Sequence, residues 1–164
     1  MTGGKVSLIQ QEVEKLKLYV GLDAKITLQH VKEVVAPTLE HHLFEMSNNL
    51  LNRKLEEALN LYHELLLQGE DTIKLNYLLI IQFRLYVQVG ILLERHYTLK
   101  DIASLLKVHP YRVELAAGQV KRQPLSRLMN IYNDLINADD ALKSSNADQQ
   151  LIFELVLTHL GSYQ

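Results

Sequence analysis

The sequence feature that most constrains the fold is a run of apolar residues between positions 75 and 83. In a helix, this run would cover nearly the whole circumference with apolar side chains, and helices of that kind are buried on several sides. Asp71 or Thr72 can cap its amino end, so we predict one long helix over residues 73–95. The other elements must pack around this helix, which indicates a bundle with a central member.

Apolar residues at helical spacing predict further helices on both sides of the central one. No segment alternates apolar and polar residues for long enough to predict a strand. We therefore expect an all-α fold, a bundle of about seven helices preceded by two short helices. The predicted spans are about 8–20, 28–35, 40–51, 54–68, 73–95, 125–142 and 147–160, with two shorter helices within 98–122.

Each predicted helix has a stripe of apolar residues that we expect to face the core. With 164 residues, of which 48% are hydrophobic, the chain can build a core of ordinary size. The stripes predicted in the second half of the chain include Ile102, Ala103, Leu105 and Leu106; Leu125, Leu128, Met129, Tyr132, Leu135 and Ile136; and Leu151, Ile152, Leu155, Val156 and Leu160.

Length and composition exclude several classes of protein. The length suits one domain or one domain with a small appendage, and we place a boundary at Pro37 because the residue before proline is pushed out of the helical conformation. The absence of cysteine excludes disulfides and thiolate metal sites, and favours a reducing cytoplasm. A net charge of −2 provides no general attraction to nucleic acid. No apolar run approaches the roughly 18 residues that a membrane span requires.

No motif in the sequence predicts an active site or a cofactor site. The glycine-rich phosphate-binding motifs and the HExxH motif are missing. His41 and Glu45, with His42 adjacent, could bind a metal ion weakly, but a zinc site needs three or four converging ligands. Asp139 and Asp140 are neighbours that would point about 100° apart on a helix, so they do not form an acid–base pair. We therefore expect a non-catalytic protein without cofactor or metal.

Residues 98–122 are compatible with a DNA-binding helix-turn-helix. Ala103, Val108 and Val113 fall five residues apart, as that motif prefers. The basic side chains that could contact phosphate are Lys107, Arg112, Lys121 and Arg122. The face that would meet the bases also carries Glu114, which phosphate would repel. A regulatory domain that binds duplex DNA through this segment is therefore the alternative function.

The same segment and its neighbours resemble the C-terminal part of the delta subunits of bacterial DNA polymerase III, which belong to the clamp loader. HPYRV at residues 109–113 is followed by an apolar helix, an Ala-Asp pair with Lys143, and a leucine-rich final helix. Residues 10–35, which include Glu-Lys-Leu, resemble the end of the family's lid domain. Residues 43–71 and 80–89 resemble the start and the long central helix of its collar domain.

This resemblance implies a division of the chain and a role. Residues 1–37 would be the last helices of a small AAA+ lid domain, and residues 38–164 a helical collar domain. Collar domains of this family pack side by side in a ring, so the implied partners are other clamp loader subunits, of the gamma/tau and delta-prime types. The sliding clamp would be contacted only through an N-terminal domain outside this chain, and DNA only indirectly. The resemblance implies no nucleotide hydrolysis, no membrane contact and a location in the bacterial cytoplasm.

Polar side chains within otherwise apolar helices are the candidates for the subunit interface that the resemblance implies. Gln82 and Arg84, which interrupt the central helix, are the first candidates, and Tyr111 and Arg112 are the second. An ordinary solvated role is the alternative for the first two. The chain departs from the family pattern at Lys107, where relatives often have glycine, and at Pro124, where a capping serine is expected.

Overall fold

The computed structural model describes residues 3–21, 25–34 and 38–162, and every regular element in this part of the chain is an α-helix. The helices are α1 (Gly3–Val20), α2 (Leu28–Val34), α3 (Leu39–Leu51), α4 (Leu55–Leu67), α5 (Thr72–Glu94), α6 (Leu99–Leu106), α7 (Pro110–Val120), α8 (Leu125–Ser144) and α9 (Gln149–Ser162). The predicted all-α fold is confirmed. The boundary predicted at Pro37 lies outside the described residues.

The chain divides into two compact units, residues 1–38 and residues 39–164. In the first unit, α1 packs on α2, and Gly21 follows the last residue of α1. Gly21 has a φ of +90°, a left-handed conformation that glycine adopts without steric cost. The second unit contains α3 to α9 around a hydrophobic core. The assignment of these units to a lid domain and a collar domain stays a prediction.

Helix α5 lies at the centre of the second unit, as its apolar composition predicts. It packs on α3, α6, α7, α8 and α9, and its contact with α8 is the most extensive. Leu79, Phe83 and Tyr86 on this helix are fully buried. Asp71 caps its amino end by accepting a hydrogen bond from the Lys74 backbone N–H at 3.0 Å. The central position therefore follows from apolar side chains on more than one face of α5.

By length and hydropathy alone, α5 could cross a membrane, which corrects the expectation that no segment approaches that limit. The expectation rested on the length of uninterrupted apolar runs, whereas a helix can reach the required mean hydropathy with a few polar residues in it. Core helices pass the same test. Asn76 of α5 is fully buried and donates a hydrogen bond to the Leu135 carbonyl of α8 at 3.2 Å. This contact and the burial of Phe83 give α5 the environment of a core helix.

Helices α6 and α7 are the two shorter helices predicted within residues 98–122. Thr98 and Asp101 make a reciprocal capping box, with side chain to backbone distances of 3.2 and 3.4 Å. Lys107 ends α6 with a φ of 53° and a ψ of 40°, the left-handed conformation for which glycine is the usual residue. Pro110 occupies the first turn of α7, where its missing N–H costs nothing. Pro124 precedes α8 and supplies no side-chain cap.

Several side chains predicted to face the core are exposed instead. They are Leu105, Met129, Ile136, Leu151 and Leu155, with exposed fractions of 59, 44, 39, 55 and 63%. The buried positions of the last two helices are Leu128, Ile131, Leu135, Ala138 and Leu142 in α8, and Phe153, Leu157 and Leu160 in α9. Both helices carry apolar side chains on two faces. Periodicity alone therefore does not decide which face is covered, and the packing of neighbouring helices does.

One flank of α8 is held by polar contacts to α3 and α9. Arg127 and Gln123 donate hydrogen bonds to the Leu51 carbonyl at the end of α3, each at 3.0 Å. Burial and the nearby charge of Arg53 lower the pKa of Arg127. Further along α8, the Asp134 carboxylate lies 3.6 Å from the His159 ring of α9. These contacts fix which side of α8 faces the interior of the bundle.

Candidate subunit interface

The structure separates the two residues that interrupt the central helix. Gln82 and Arg84 are two positions apart, so their side chains point about 200° apart around α5. Gln82 is half-buried on the side that faces α7, and its Oε1 accepts a hydrogen bond from Arg112 Nη2 at 3.3 Å. Arg84 is exposed on the other side and makes no hydrogen bond or ion pair with any residue that the structure describes. The first candidate pair therefore belongs to two different surfaces.

The Gln82–Arg112 contact is the outer end of a polar network that joins three helices. The Tyr86 hydroxyl lies 3.0 Å from Ser47 Oγ, and both residues are fully buried. Ser47 Oγ donates to the Phe44 carbonyl at 2.8 Å, so the Tyr86 hydroxyl donates to Ser47. Burial raises the pKa of Tyr86, and the side-chain hydrogen bonds with Ser47 and Gln82 and the charge of Arg112 oppose that rise. Gln82 and Arg112 thus help to hold α3, α5 and α7 together.

Arg84 lies on a continuous exposed strip of α5. We call this strip, formed by Tyr77, Ile80, Ile81, Arg84 and Gln88, the open ridge. Tyr77 is 55% exposed, Arg84 and Gln88 are exposed, and the two isoleucines between them are half-buried. Their spacing of three, four and seven residues places them on one side of the helix. The central helix of the bundle therefore leaves one side uncovered within the described part of the chain.

Helix α8 extends this uncovered surface. Met129 and Ile136 are seven residues apart and both are exposed, so they share one flank of α8. Helical geometry places this flank about 140–180° from Arg127 and Asp134, which contact α3 and α9. Because α8 packs more extensively on α5 than on any other helix, and α3 and α9 occupy the opposite flank, we infer that Met129 and Ile136 lie beside the open ridge. This surface was not predicted, because Met129 and Ile136 were assigned to the core. The seven-residue spacings of Tyr77 to Arg84 and of Met129 to Ile136 are nevertheless visible in the sequence.

The four basic residues predicted to contact DNA do not form one stripe. Lys107 lies in the turn before α7, and Arg122 lies beyond the end of α7. Arg112 and Lys121 are nine positions apart, which places them on opposite sides of α7. Arg112 points towards Gln82 of α5. The exposed side chains in the first half of α7 instead include Tyr111, which is 61% exposed, and the acidic Glu114, besides Arg112. No observation favours the DNA-binding alternative.

Clustered ionisable groups suited to a metal are not found among the described residues. His41 faces Glu45 at 3.4 Å, as their spacing of four residues predicts. His42 points into the bundle and is 3% exposed. Asp139 pairs with Lys143, whereas Asp140 is exposed. These side chains therefore lie on different surfaces of α3 and α8 and do not converge on one point.

Comparison with known proteins agrees on one family. Residues 40–160 match the family model for the DNA polymerase III delta subunit, C-terminal domain. The DNA polymerase III subunit delta of Bacillus subtilis is 41% identical over 160 residues, which cover 98% of this chain and 46% of that protein.

A solved structure of the Bacillus subtilis DNA clamp loader delta protein superposes on the chain with a TM-score of 0.84 and 41% identity. The match covers 98% of this chain and 47% of the solved chain, so this chain spans about half the length of its relatives. The resemblance inferred from the sequence is therefore confirmed, and the chain belongs to the family of DNA polymerase III delta subunits, of which it matches the C-terminal domain.

Proposed function

We propose that the chain is the C-terminal assembly module of a DNA polymerase III delta subunit, and that it helps to hold a bacterial clamp loader together during DNA replication. Residues 1–37 form the end of a lid domain, and residues 38–164 form the collar domain. The module is not catalytic and acts in the cytoplasm. Its mechanism is packing against other proteins, which fixes the angle between neighbouring subunits.

The observation that carries this proposal is the uncovered side of the central helix. Apolar side chains at the centre of a bundle are normally covered, and a contiguous exposed apolar patch marks a contact site. The open ridge places exposed Tyr77 beside half-buried Ile80 and Ile81, and Arg84 lies within it without a partner among the described residues. Arginine and tyrosine are the residue types that are enriched in protein interfaces.

The proposed partners are other clamp loader subunits, of the gamma/tau and delta-prime types. Contact with the sliding clamp belongs to the part of the full-length subunit that this chain does not cover, and contact with DNA is indirect. Arg84 is the principal candidate at the interface, and Tyr111 is a second. Gln82 and Arg112 contribute indirectly, because their contact with each other joins α5 to α7.

Co-purification with the other clamp loader subunits tests the proposal. The 164-residue chain is expected to be recovered in a complex with a gamma/tau-type or delta-prime-type subunit from the same bacterium. Arg112→Glu would lose the contact to Gln82 and is expected to weaken assembly indirectly, together with thermal stability. Failure of the unmodified chain to bind any clamp loader subunit would contradict the proposal.

A further inference from the structure

We infer that the open ridge of α5 and the adjoining flank of α8 form a groove for an α-helix of another clamp loader subunit, and that this helix carries a carboxylate opposite Arg84. The inference rests on the proposed assembly function and adds the chemistry of the partner. The α8 flank is defined by Met129 and Ile136. We call the combined surface the α5–α8 groove.

The shape of the surface suits a helix. From Tyr77 to Gln88 the open ridge extends over about 16 Å, or roughly three helical turns. Two neighbouring helices present a groove between their side-chain ridges, and a third helix packs by inserting its own ridge there. Met129 and Ile136 span two turns of α8 along the same surface. An apolar helix of three or four turns would therefore cover the exposed side chains of both helices.

The side chains of the groove have the composition of a binding surface. Tyr77 and Arg84 belong to the residue types that dominate the binding energy of protein interfaces, and such residues are commonly surrounded by apolar contacts that exclude water. Ile80 and Ile81 lie between them and are half-buried. Exposed Met129 adds a flexible apolar side chain that adapts to irregular surfaces. The groove thus combines an apolar floor with one cationic anchor.

The charge of Arg84 specifies the partner. Arg84 has no acidic or hydrogen-bonding partner among the described residues. The only carboxylate of α5 is Glu94, ten residues further along the helix, or about 15 Å away. An apolar helix that covered Arg84 without neutralising it would bury an unpaired charge, which is strongly unfavourable. A partner that buries this ridge therefore needs an aspartate or glutamate at the matching position.

Charge reversal at Arg84 is the first test. We expect Arg84→Glu to weaken binding to the co-expressed clamp loader subunits about 30-fold or more, because loss of a central interface anchor has effects of that size. Arg122→Glu is the matched control, since Arg122 is also exposed but lies beyond α7, and we expect less than about a twofold change. Unchanged thermal unfolding of both variants shows that the fold is retained. Equal binding by the Arg84→Glu variant and the unmodified chain would overturn the inference while leaving the assembly function intact.

Site-specific crosslinking identifies what occupies the groove. The chain contains no cysteine, so a Gln88→Cys variant has a single thiol that can carry a photoreactive crosslinker. We expect it to label a helical peptide of a neighbouring subunit that contains an acidic residue, whereas Asn60→Cys on the exposed side of α4 should not label that peptide. Replacing the identified acidic residue by arginine should restore binding to the Arg84→Glu variant.

The remaining outcomes are decisive as well. Crosslinking of Gln88→Cys to a peptide without an acidic residue, or to a second copy of this chain, would overturn the proposed partner chemistry. Assembly without any crosslink from Gln88→Cys would show that the groove lies outside the interface. If the unmodified chain binds no clamp loader subunit, the assembly function itself fails, and the inference fails with it.

Discussion

The two sides of α5 have similar side chains and opposite environments. On one side, Phe83 and Tyr86 are fully buried, with their rings 5.5 Å apart in an edge-to-face arrangement. On the other side, Tyr77 is more than half exposed and Arg84 has no partner among the described residues. Both sides carry aromatic and branched apolar residues, and the exposed side also carries Arg84 and Gln88. The composition of a helix face therefore does not by itself decide its burial, because burial depends on which neighbours pack there.

The buried side forms hydrogen bonds to other helices, whereas the exposed side leaves its polar atoms to water or to another protein. The Tyr86 hydroxyl reaches Ser47 of α3, and Asn76 reaches the Leu135 carbonyl of α8. Each of these bonds joins helices that are far apart in the sequence. The open ridge has no such bond within the described residues. The two sides should therefore respond differently to substitution, first in stability and then in assembly.

The largest effect is expected from truncation of the buried aromatic residue. Phe83→Ala should lower the free energy of unfolding by about 3–5 kcal/mol, because it removes a large apolar side chain and leaves a cavity. Urea denaturation monitored by circular dichroism measures this change. A loss below about 1 kcal/mol would show that the core rearranges around the cavity, and would contradict the contrast between the two sides.

Close packing between α5 and α8 provides a second test. A Cβ atom at Gly90 would lie 2.9 Å from Leu125 Cδ1 and 3.2 Å from Val120 Cγ1. Gly90→Val should therefore destabilise the protein by about 1–3 kcal/mol through overpacking. Gly118→Val in α7 is the matched control, since nothing lies within 4 Å of its Cβ position. Equal unfolding midpoints for the two variants would contradict the close approach of these helices.

Removal of the buried hydroxyl should have a smaller, pH-dependent effect. Tyr86→Phe should cost about 1 kcal/mol at neutral pH, because it removes the hydrogen bond to Ser47. Burial raises the pKa of Tyr86 above its usual value of 10.0. Its protonated form is thus favoured by folding, so this contribution is complete below about pH 10 and is lost as the pH rises through the folded-state pKa.

The free energy of unfolding measured at increasing pH tests whether the Tyr86 hydroxyl contributes to stability. The unmodified chain should lose stability at alkaline pH more steeply than Tyr86→Phe. Tyr62→Phe is the comparison variant in the same measurement. Burial also raises the pKa of Tyr62, and its hydroxyl lies 2.9 Å from Thr72 Oγ1. Identical alkaline slopes for the Tyr86→Phe variant and the unmodified chain would disprove the contribution of Tyr86.

The smallest effect on folding is expected on the open ridge. Tyr77→Ala should change the free energy of unfolding by no more than about 0.5 kcal/mol, because most of this side chain is already in water. The same variant should weaken binding to the other clamp loader subunits if the α5–α8 groove is the interface. Thermal unfolding and co-purification of one preparation measure both quantities. A large loss of stability would show that Tyr77 belongs to the core after all.

Local features of the fold were predicted well from the sequence. The all-α class, the central position of α5 and the two shorter helices within residues 98–122 all follow from residues within a few positions of each other. The family was also recognisable, because an ordered set of segments extends over nearly the whole chain. Helical periodicity and capping depend on contacts three or four residues apart, so a linear sequence displays them directly.

The tertiary structure alone decided which apolar faces are covered and which polar residues meet. Met129 and Ile136 were predicted to face the core, yet Ile131 and Leu128 occupy that position. Gln82 pairs with Arg112, 30 residues away, while Arg84 turns to the opposite side of α5. A helix with two apolar faces has the same sequence pattern whichever face is buried. The choice between the faces depends on the packing of neighbours distant in the sequence, and that packing is a property of the assembled bundle.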